Sequence, residues 1–157
     1  MKLGSLKSDK SRDGELIVVS RDNQRAVRPT GIPPSLREAV ENWQAVKPKL
    51  EALYKQLNEG KADHAFELEA GKLHSPLPRA FQWADGSAFI HHVKLVRMSR
   101  NSPLPETLET LPLMYQGAGD AFLAPTEDIP QVDFSHGTDF EGEVGVIVDE
   151  VPMGITP

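Results

Sequence analysis

The apolar residues within positions 36–57 recur at three- and four-residue steps, and this periodicity constrains the fold more than any other feature of the chain. They are Leu36, Val40, Trp43, Leu50, Leu53, Tyr54 and Leu57. The spacing places them along one face of an amphipathic α-helix, which has to be buried against another element. Ser35 and Glu38 form a capping-box pattern at its start, and Gly60 marks its end. Because Pro48 lacks an amide hydrogen, we expect a kink or two abutting helices there.

Two short apolar segments precede this helix and predict a β-hairpin. They cover residues 1–6 and 15–20, and the polar stretch between them ends in Asp13-Gly14. Glycine readily adopts the positive φ that a tight hairpin turn needs. The hairpin and the kinked helix predict a small N-terminal domain over residues 1–72.

The sequence changes character after this domain, because proline and glycine become frequent. Two strands are predicted in the second part, at Phe89–Val96 and Phe140–Val148, with long irregular segments between them. Residues 73–157 therefore predict the beginning of a mostly-β catalytic domain, a mixed sandwich or roll, and the chain belongs to the α+β class. A loop leads onward from the last predicted strand, so we expect this domain to be incomplete.

Composition excludes several classes of partner. Seventeen basic and 23 acidic side chains give a formal net charge of -6, which repels a phosphate backbone, so nucleic acid is not an expected partner. There is no cysteine, so a bound metal needs oxygen or imidazole ligands. No apolar stretch approaches the roughly 20 residues of a bilayer span, and we expect no signal peptide because charged residues follow the first six positions. We expect a cytoplasmic protein without a membrane partner.

Glu141 and Glu143 are the first candidate site residues. They alternate with apolar residues in the predicted strand, so both carboxylates project from the same face. Like charges at roughly 7 Å repel unless a cation lies between them, which favours a divalent metal with oxygen ligands. The alternative is an exposed strand face that carries solvated glutamates.

A second segment contains Asp85 and His92. Asp85 is predicted on a glycine-containing turn, where a carboxylate can reach a metal, and His92 follows seven positions later. Histidine titrates near neutral pH, so His92 is a candidate general base, although a His-His pair is more often a surface or core feature.

Tyr115 lies in a third segment, residues 111–122, whose two glycines predict a tight loop between strands. Its phenolic hydroxyl can donate to a substrate carboxylate, and a structural tyrosine is the alternative.

In their order along the chain these three segments resemble the fumarylacetoacetate hydrolase family. Glu141 and Glu143 are similar to the family's paired metal-binding glutamates, and Asp85 and His92 have the spacing of its metal-binding aspartate and catalytic histidine. Tyr115 lies where fumarylacetoacetases have a substrate-contacting tyrosine. Residues 1 to about 70 resemble the small domain that precedes the catalytic domain.

The resemblance implies a hydrolase that cleaves carbon–carbon bonds of diketo or acylpyruvate-type acids, as in the catabolism of aromatic compounds. Asp85, Glu141 and Glu143 would hold Mg²⁺, Mn²⁺ or Ca²⁺, which stabilises the enolate left by bond cleavage. His92 would activate water, and Arg97 or Arg100 would bind a substrate carboxylate. A small diketo or keto acid is the expected partner, and the full-length protein is expected to be a homodimer.

Two departures qualify this expectation. The family's further metal-binding aspartate, its lysine and the glutamate that partners the histidine would follow residue 157, so we expect a truncated chain with little or no turnover. Ser87 stands near a position where fumarylacetoacetase has a tyrosine, which argues against that substrate. Family relatives that act as decarboxylases, hydratases or isomerases remain alternatives, as does a non-catalytic interaction domain.

Overall fold

The computed structural model describes residues 1–138 and 140–156, so Asp139 and Pro157 lie outside the described residues. The chain divides into two compact units. The first contains residues 1–79 and 122–157, and the second contains residues 80–121. Both contain antiparallel strands and helix or helical turns, which confirms the predicted α+β class.

A four-stranded antiparallel sheet forms the centre of the first unit. Its strands are β1 (Lys2–Leu6), β2 (Glu15–Val19), β3 (Arg25–Val27) and β4 (Phe66–Glu67), in that order across the sheet. The predicted hairpin is confirmed, since Leu6 pairs with Glu15 at its end. Gly14 has a φ of 69°, and a Cβ there would lie 2.6 Å from the Leu6 carbonyl oxygen, so the turn requires glycine.

The predicted amphipathic helix is present as two pieces, α1 (Leu36–Glu41) and α2 (Trp43–Asn58). The expected break at Pro48 is wrong, because the interruption lies at Asn42. The Asn42 amide donates to the Ala39 carbonyl, and its side chain donates to the Glu38 carbonyl, which ends α1. Helix α2 continues through Pro48, whose exposed position lets water replace the missing hydrogen bond.

Helix α1 begins as the capping-box pattern predicts. The Ser35 hydroxyl accepts a hydrogen bond from the Glu38 amide at 3.3 Å and donates one to the Glu38 carboxylate at 3.1 Å. Helix α2 ends just before Gly60, which has a φ of 72°. Both predicted boundaries of the helical region are therefore confirmed.

The sheet buries apolar side chains on both of its faces because successive residues of β2 point to opposite sides. One face packs Leu16 and Val18 against the helices, and the residues of this cluster are Leu16, Val18, Val27, Leu36, Ala39, Val46, Leu50 and Leu57. On the opposite face, Ile17 and Val19 pack with Leu6 and Ala26.

A buried carboxylate ties the hairpin turn to two other parts of this unit. Arg79 donates to both oxygens of Asp13, at 2.8 and 2.7 Å, and Arg37 forms an ion pair with the same carboxylate at 2.8 Å. The hydrogen bond from Arg79, together with the positive charge of Arg37, lowers the pKa of Asp13 even though burial opposes this.

The second unit contains β5 (Trp83–Ser87), α3 (Ile90–Ser99) and β6 (Leu113–Gly117). The predicted strand at Phe89–Val96 is wrong, because this stretch forms the start of α3. Its apolar residues Ile90, Val93 and Val96 recur at a three-residue step, which suits a helix, and Val93 is buried. The predicted tight loop within 111–122 is also wrong for residues 113–117, which pair with β5.

The predicted strand at Phe140–Val148 is not formed. No regular element is assigned over residues 140–156, and Phe140, Val144 and Val146 are 87%, 93% and 81% exposed. A strand requires hydrogen bonds to a neighbouring strand, and none of the described strands pairs with this segment. Alternation of apolar residues alone was therefore insufficient to form it.

None of the helices in the described part of the chain is both long and apolar enough to cross a membrane.

Candidate functional site

Five of the predicted site residues lie in the second unit. Asp85 is on β5, Tyr115 is on β6, and His92 and Arg97 are on α3, with Arg100 immediately after that helix. A strand pair and the helix α3 thus carry one candidate metal ligand, the candidate base and the candidate substrate-binding groups.

Asp85 and Tyr115 lie directly opposite each other in the antiparallel pair β5–β6. The Tyr115 hydroxyl donates a long hydrogen bond of 3.4 Å to the Asp85 carboxylate. Asp85 is half-buried and Tyr115 is 56% exposed. The structure therefore brings together two polar groups that the sequence analysis placed in separate motifs.

The prediction that Asp85 lies on a turn is wrong, because it occupies the middle of β5. Gly86 caused this error, since a glycine after aspartate is typical of turns. In the structure Gly86 has no positive φ and pairs with Met114 within the strand. The Asp85 side chain is therefore fixed by strand geometry.

Trp83 and Gly117 lie next to Asp85 and Tyr115 in this strand pair, and neither was predicted from the sequence as a site residue. They face each other across the two strands, and the Trp83 ring meets the Tyr115 ring edge to face with centroids 5.5 Å apart. The signal was the period-2 spacing of Trp83 and Asp85, which places both on one face of a strand.

His92 occupies the first turn of α3 and is exposed, as is its neighbour His91. The His91 ring contacts the Phe89 ring at a centroid distance of 6.4 Å. Arg97 lies in the last turn of α3, where a positive charge also suits the helix dipole, and Arg100 caps the helix end.

Glu141 and Glu143 belong to the first unit, where both are exposed and lie outside any regular element. Within residues 1–138 and 140–156, no three histidine, aspartate or glutamate side chains form a group that could hold a metal ion. The predicted ligand set of Asp85, Glu141 and Glu143 draws on both units, and it stays a prediction.

Comparison with known families provides the decisive observation. A family model described as fumarylacetoacetase N-terminal domain 2 matches residues 1–79, and a second, described as fumarylacetoacetate (FAA) hydrolase C-terminal, matches residues 82–157. The chain belongs to the fumarylacetoacetate hydrolase family. The resemblance stated from the sequence motifs is thereby confirmed, and membership indicates an enzyme of hydrolase or lyase type. A search of curated proteins found no match.

In this fumarylacetoacetate hydrolase family member, the core clusters and the predicted site residues lie in different family matches. Both buried core clusters lie within residues 1–79, the range of the N-terminal match. Every predicted site residue, from Asp85 to Glu143, lies within the C-terminal match. The first segment therefore supplies most of the stable core, and the second supplies the candidate chemistry.

Proposed function

We propose that the protein is a divalent-metal-dependent hydrolase that cleaves a carbon–carbon bond in acylpyruvates and similar diketo acids. The observation that supports this is the succession of two family matches, over residues 1–79 and 82–157. Asp85, His92 and Tyr115 all lie in the second match and in one compact unit.

The proposed reaction consumes one water molecule. Its oxygen bonds to the acyl carbonyl carbon, and the bond from that carbon to the neighbouring methylene carbon breaks. The electron pair remains on the methylene carbon as an enolate, which takes up a proton to give the α-keto acid. His92 is the proposed base, and the proton it accepts from water balances the proton that the enolate takes up.

The substrate's carboxylate needs hydrogen-bond donors, and the second unit contains three candidates. Arg97 and Arg100 present planar guanidinium groups that suit a carboxylate, and the Tyr115 hydroxyl is a further donor. We propose that one of these arginines binds the substrate carboxylate and that Tyr115 contacts a substrate oxygen. These roles depend on hydrogen bonding and require no change of protonation state.

The proposed metal ligands are Asp85, Glu141 and Glu143, with Mg²⁺, Mn²⁺ or Ca²⁺ as the ion. Carboxylate oxygens are the ligands that these hard cations prefer. Calorimetric titration with MgCl₂ tests this assignment. We expect the Glu141→Gln/Glu143→Gln double variant to bind Mg²⁺ at least about tenfold more weakly than the wild type, because two charged ligands are lost.

Glu67 and Glu69 provide a matched control, since they have the same spacing and are also exposed. The Glu67→Gln/Glu69→Gln variant removes the same charge and should bind Mg²⁺ like the wild type. If both double variants bind Mg²⁺ equally, or if the wild type does not bind it, the metal-dependent function is wrong.

The adjacent histidines allow a test of the proposed base. Any hydrolysis of acetopyruvate by the wild type should fall about a hundredfold or more in His92→Ala, which is the usual loss for a general base. His91→Ala should retain the rate, because His91 has no proposed role. A rate that falls only in His91→Ala would reverse the assignment. The rate is followed by the decrease in ultraviolet absorbance of the diketo acid.

A further inference from the structure

The Trp83 side chain occupies space that is open only because residue 117 is glycine. A Cβ built on Gly117 would lie 1.8 Å from the Trp83 ring carbon Cε3 and 1.9 Å from Cζ3. No such contact is possible, so any larger residue at position 117 would force the indole ring out of its place. The ring lies against the backbone of the opposite strand.

From this position Trp83 reaches diagonally to Tyr115. Trp83 pairs with Gly117, and Asp85 pairs with Tyr115, so the four residues form two successive cross-strand pairs on one face. The two rings meet edge to face at an interplanar angle of 66°, a favourable aromatic arrangement. The indole therefore packs against the tyrosine ring from β5, the strand that also carries Asp85.

We infer that Trp83, seated on Gly117, is a positioning residue that holds the Tyr115 hydroxyl beside the Asp85 carboxylate. Tyr115 is 56% exposed, so the strand backbone alone leaves its ring room to move. The indole contact limits that movement and keeps the phenol at the 3.4 Å distance to Asp85. The role of Tyr115 in substrate binding rests on the proposed function, but the position of the Tyr115 ring does not.

Gly86 provides a matched control for Gly117 within the same strand pair. It lies on β5, has no positive φ, and an added Cβ would meet nothing within 4 Å. Gly117→Ala and Gly86→Ala therefore introduce the same methyl group, but only the first collides with Trp83. Trp83→Ala removes the ring without a collision, and Trp83→Phe retains an aromatic ring.

The first measurement is the nuclear Overhauser effect between the Tyr115 ε protons and the Asp85 β protons, in the 157-residue chain with labelled tyrosine. The chain has two tyrosines, so Tyr54→Phe assigns the signals. The effect should be lost or strongly weakened in Gly117→Ala and Trp83→Ala, and retained in Gly86→Ala and Trp83→Phe. An effect that is unchanged in both Gly117→Ala and Trp83→Ala overturns the inference.

The second measurement is the Kd of acetopyruvate in the presence of Mg²⁺. Gly117→Ala and Trp83→Ala should weaken binding about fivefold, the loss expected for one misplaced hydrogen-bond donor, and Trp83→Phe should restore it. Wild-type affinity in both variants overturns the role of Trp83 in substrate binding. A wild-type chain that does not bind acetopyruvate overturns the proposed function. The nuclear Overhauser effect between Tyr115 and Asp85 still decides whether Trp83 positions Tyr115.

Discussion

At the scale of single residues, Asp13 carries a buried charge whose compensation depends on two arginines. Its side chain is 5% exposed and contacts both Arg79 and Arg37. Asp13→Asn keeps the shape but removes the negative charge that both guanidinium groups contact. We expect the free energy of unfolding to fall by about 2 kcal/mol, as for other charge-assisted hydrogen bonds. Urea unfolding followed by circular dichroism measures this, and the exposed Asp63→Asn should show almost no loss.

Asp13 also makes the free energy of unfolding depend on pH, in a direction that its pKa shift defines. Its pKa in the folded protein lies below the ordinary value of 3.8, mainly because of the hydrogen bond from Arg79. Its contribution to stability is therefore complete above that value and is lost as the pH falls through the lower native pKa. The difference in unfolding free energy between wild type and Asp13→Asn should shrink as the pH falls below the ordinary value of 3.8 toward the lower native pKa. A difference that grows on acidification would contradict this.

Residue types near the site could be predicted from the sequence, but their contacts could not. Asp85 and Tyr115 were recognised as polar groups in separate motifs, and the hydrogen bond between them depends on the register of two strands 30 residues apart. That register is set by pairing across the strands, to which the Trp83–Gly117 contact contributes. The sequence does not indicate that Trp83 requires glycine at position 117, because the two residues lie far apart along the chain.

At the scale of elements, a side-chain cap formed by Ser35 fixes where α1 begins. The Ser35 hydroxyl is buried and exchanges hydrogen bonds with the Glu38 amide and carboxylate. Ser35→Ala should lower the free energy of unfolding by about 1 kcal/mol, because the Glu38 amide loses its acceptor. Glu38→Gln retains an acceptor for the Ser35 hydroxyl and should cost less. Thermal unfolding of both variants measures this, and equal losses would argue against a role for the cap.

The elements predicted correctly are those with local signals that agree with one another. The hairpin has a glycine turn that joins two apolar strands, and the helical region has a cap, an apolar face and a terminal glycine. The errors arose where one signal decided the prediction. The strand predicted at residues 89–96 neglects the three-residue spacing of Ile90, Val93 and Val96, which suits α3. The strand predicted at residues 140–148 rests on alternation without a partner strand.

At the scale of the whole molecule, the buried apolar core is concentrated in residues 1–79. Both buried core clusters lie in this range, and residues 74–79 add contacts to the hairpin. The His74 amide donates to the Ser5 carbonyl at 2.8 Å, the Ser5 hydroxyl donates to the Pro76 carbonyl at 2.7 Å, and Arg79 binds Asp13. By contrast, most residues of 122–156 that the structure describes are exposed.

This distribution predicts how fragments of the chain behave. A fragment of residues 1–79 should unfold cooperatively in urea, because it contains both core clusters and all four strands of the first sheet. A fragment of residues 1–72, which ends at the domain boundary predicted from the sequence, lacks the contacts of Ser5 with His74 and Pro76 and of Asp13 with Arg79. It should therefore be less stable than 1–79 by about 4 kcal/mol, the sum of two neutral and one charge-assisted hydrogen-bonded contacts. Trp43 fluorescence reports unfolding in both fragments, since Trp43 is their only tryptophan. Equal urea midpoints would show that residues 73–79 contribute nothing to this domain and would support the boundary at residue 72.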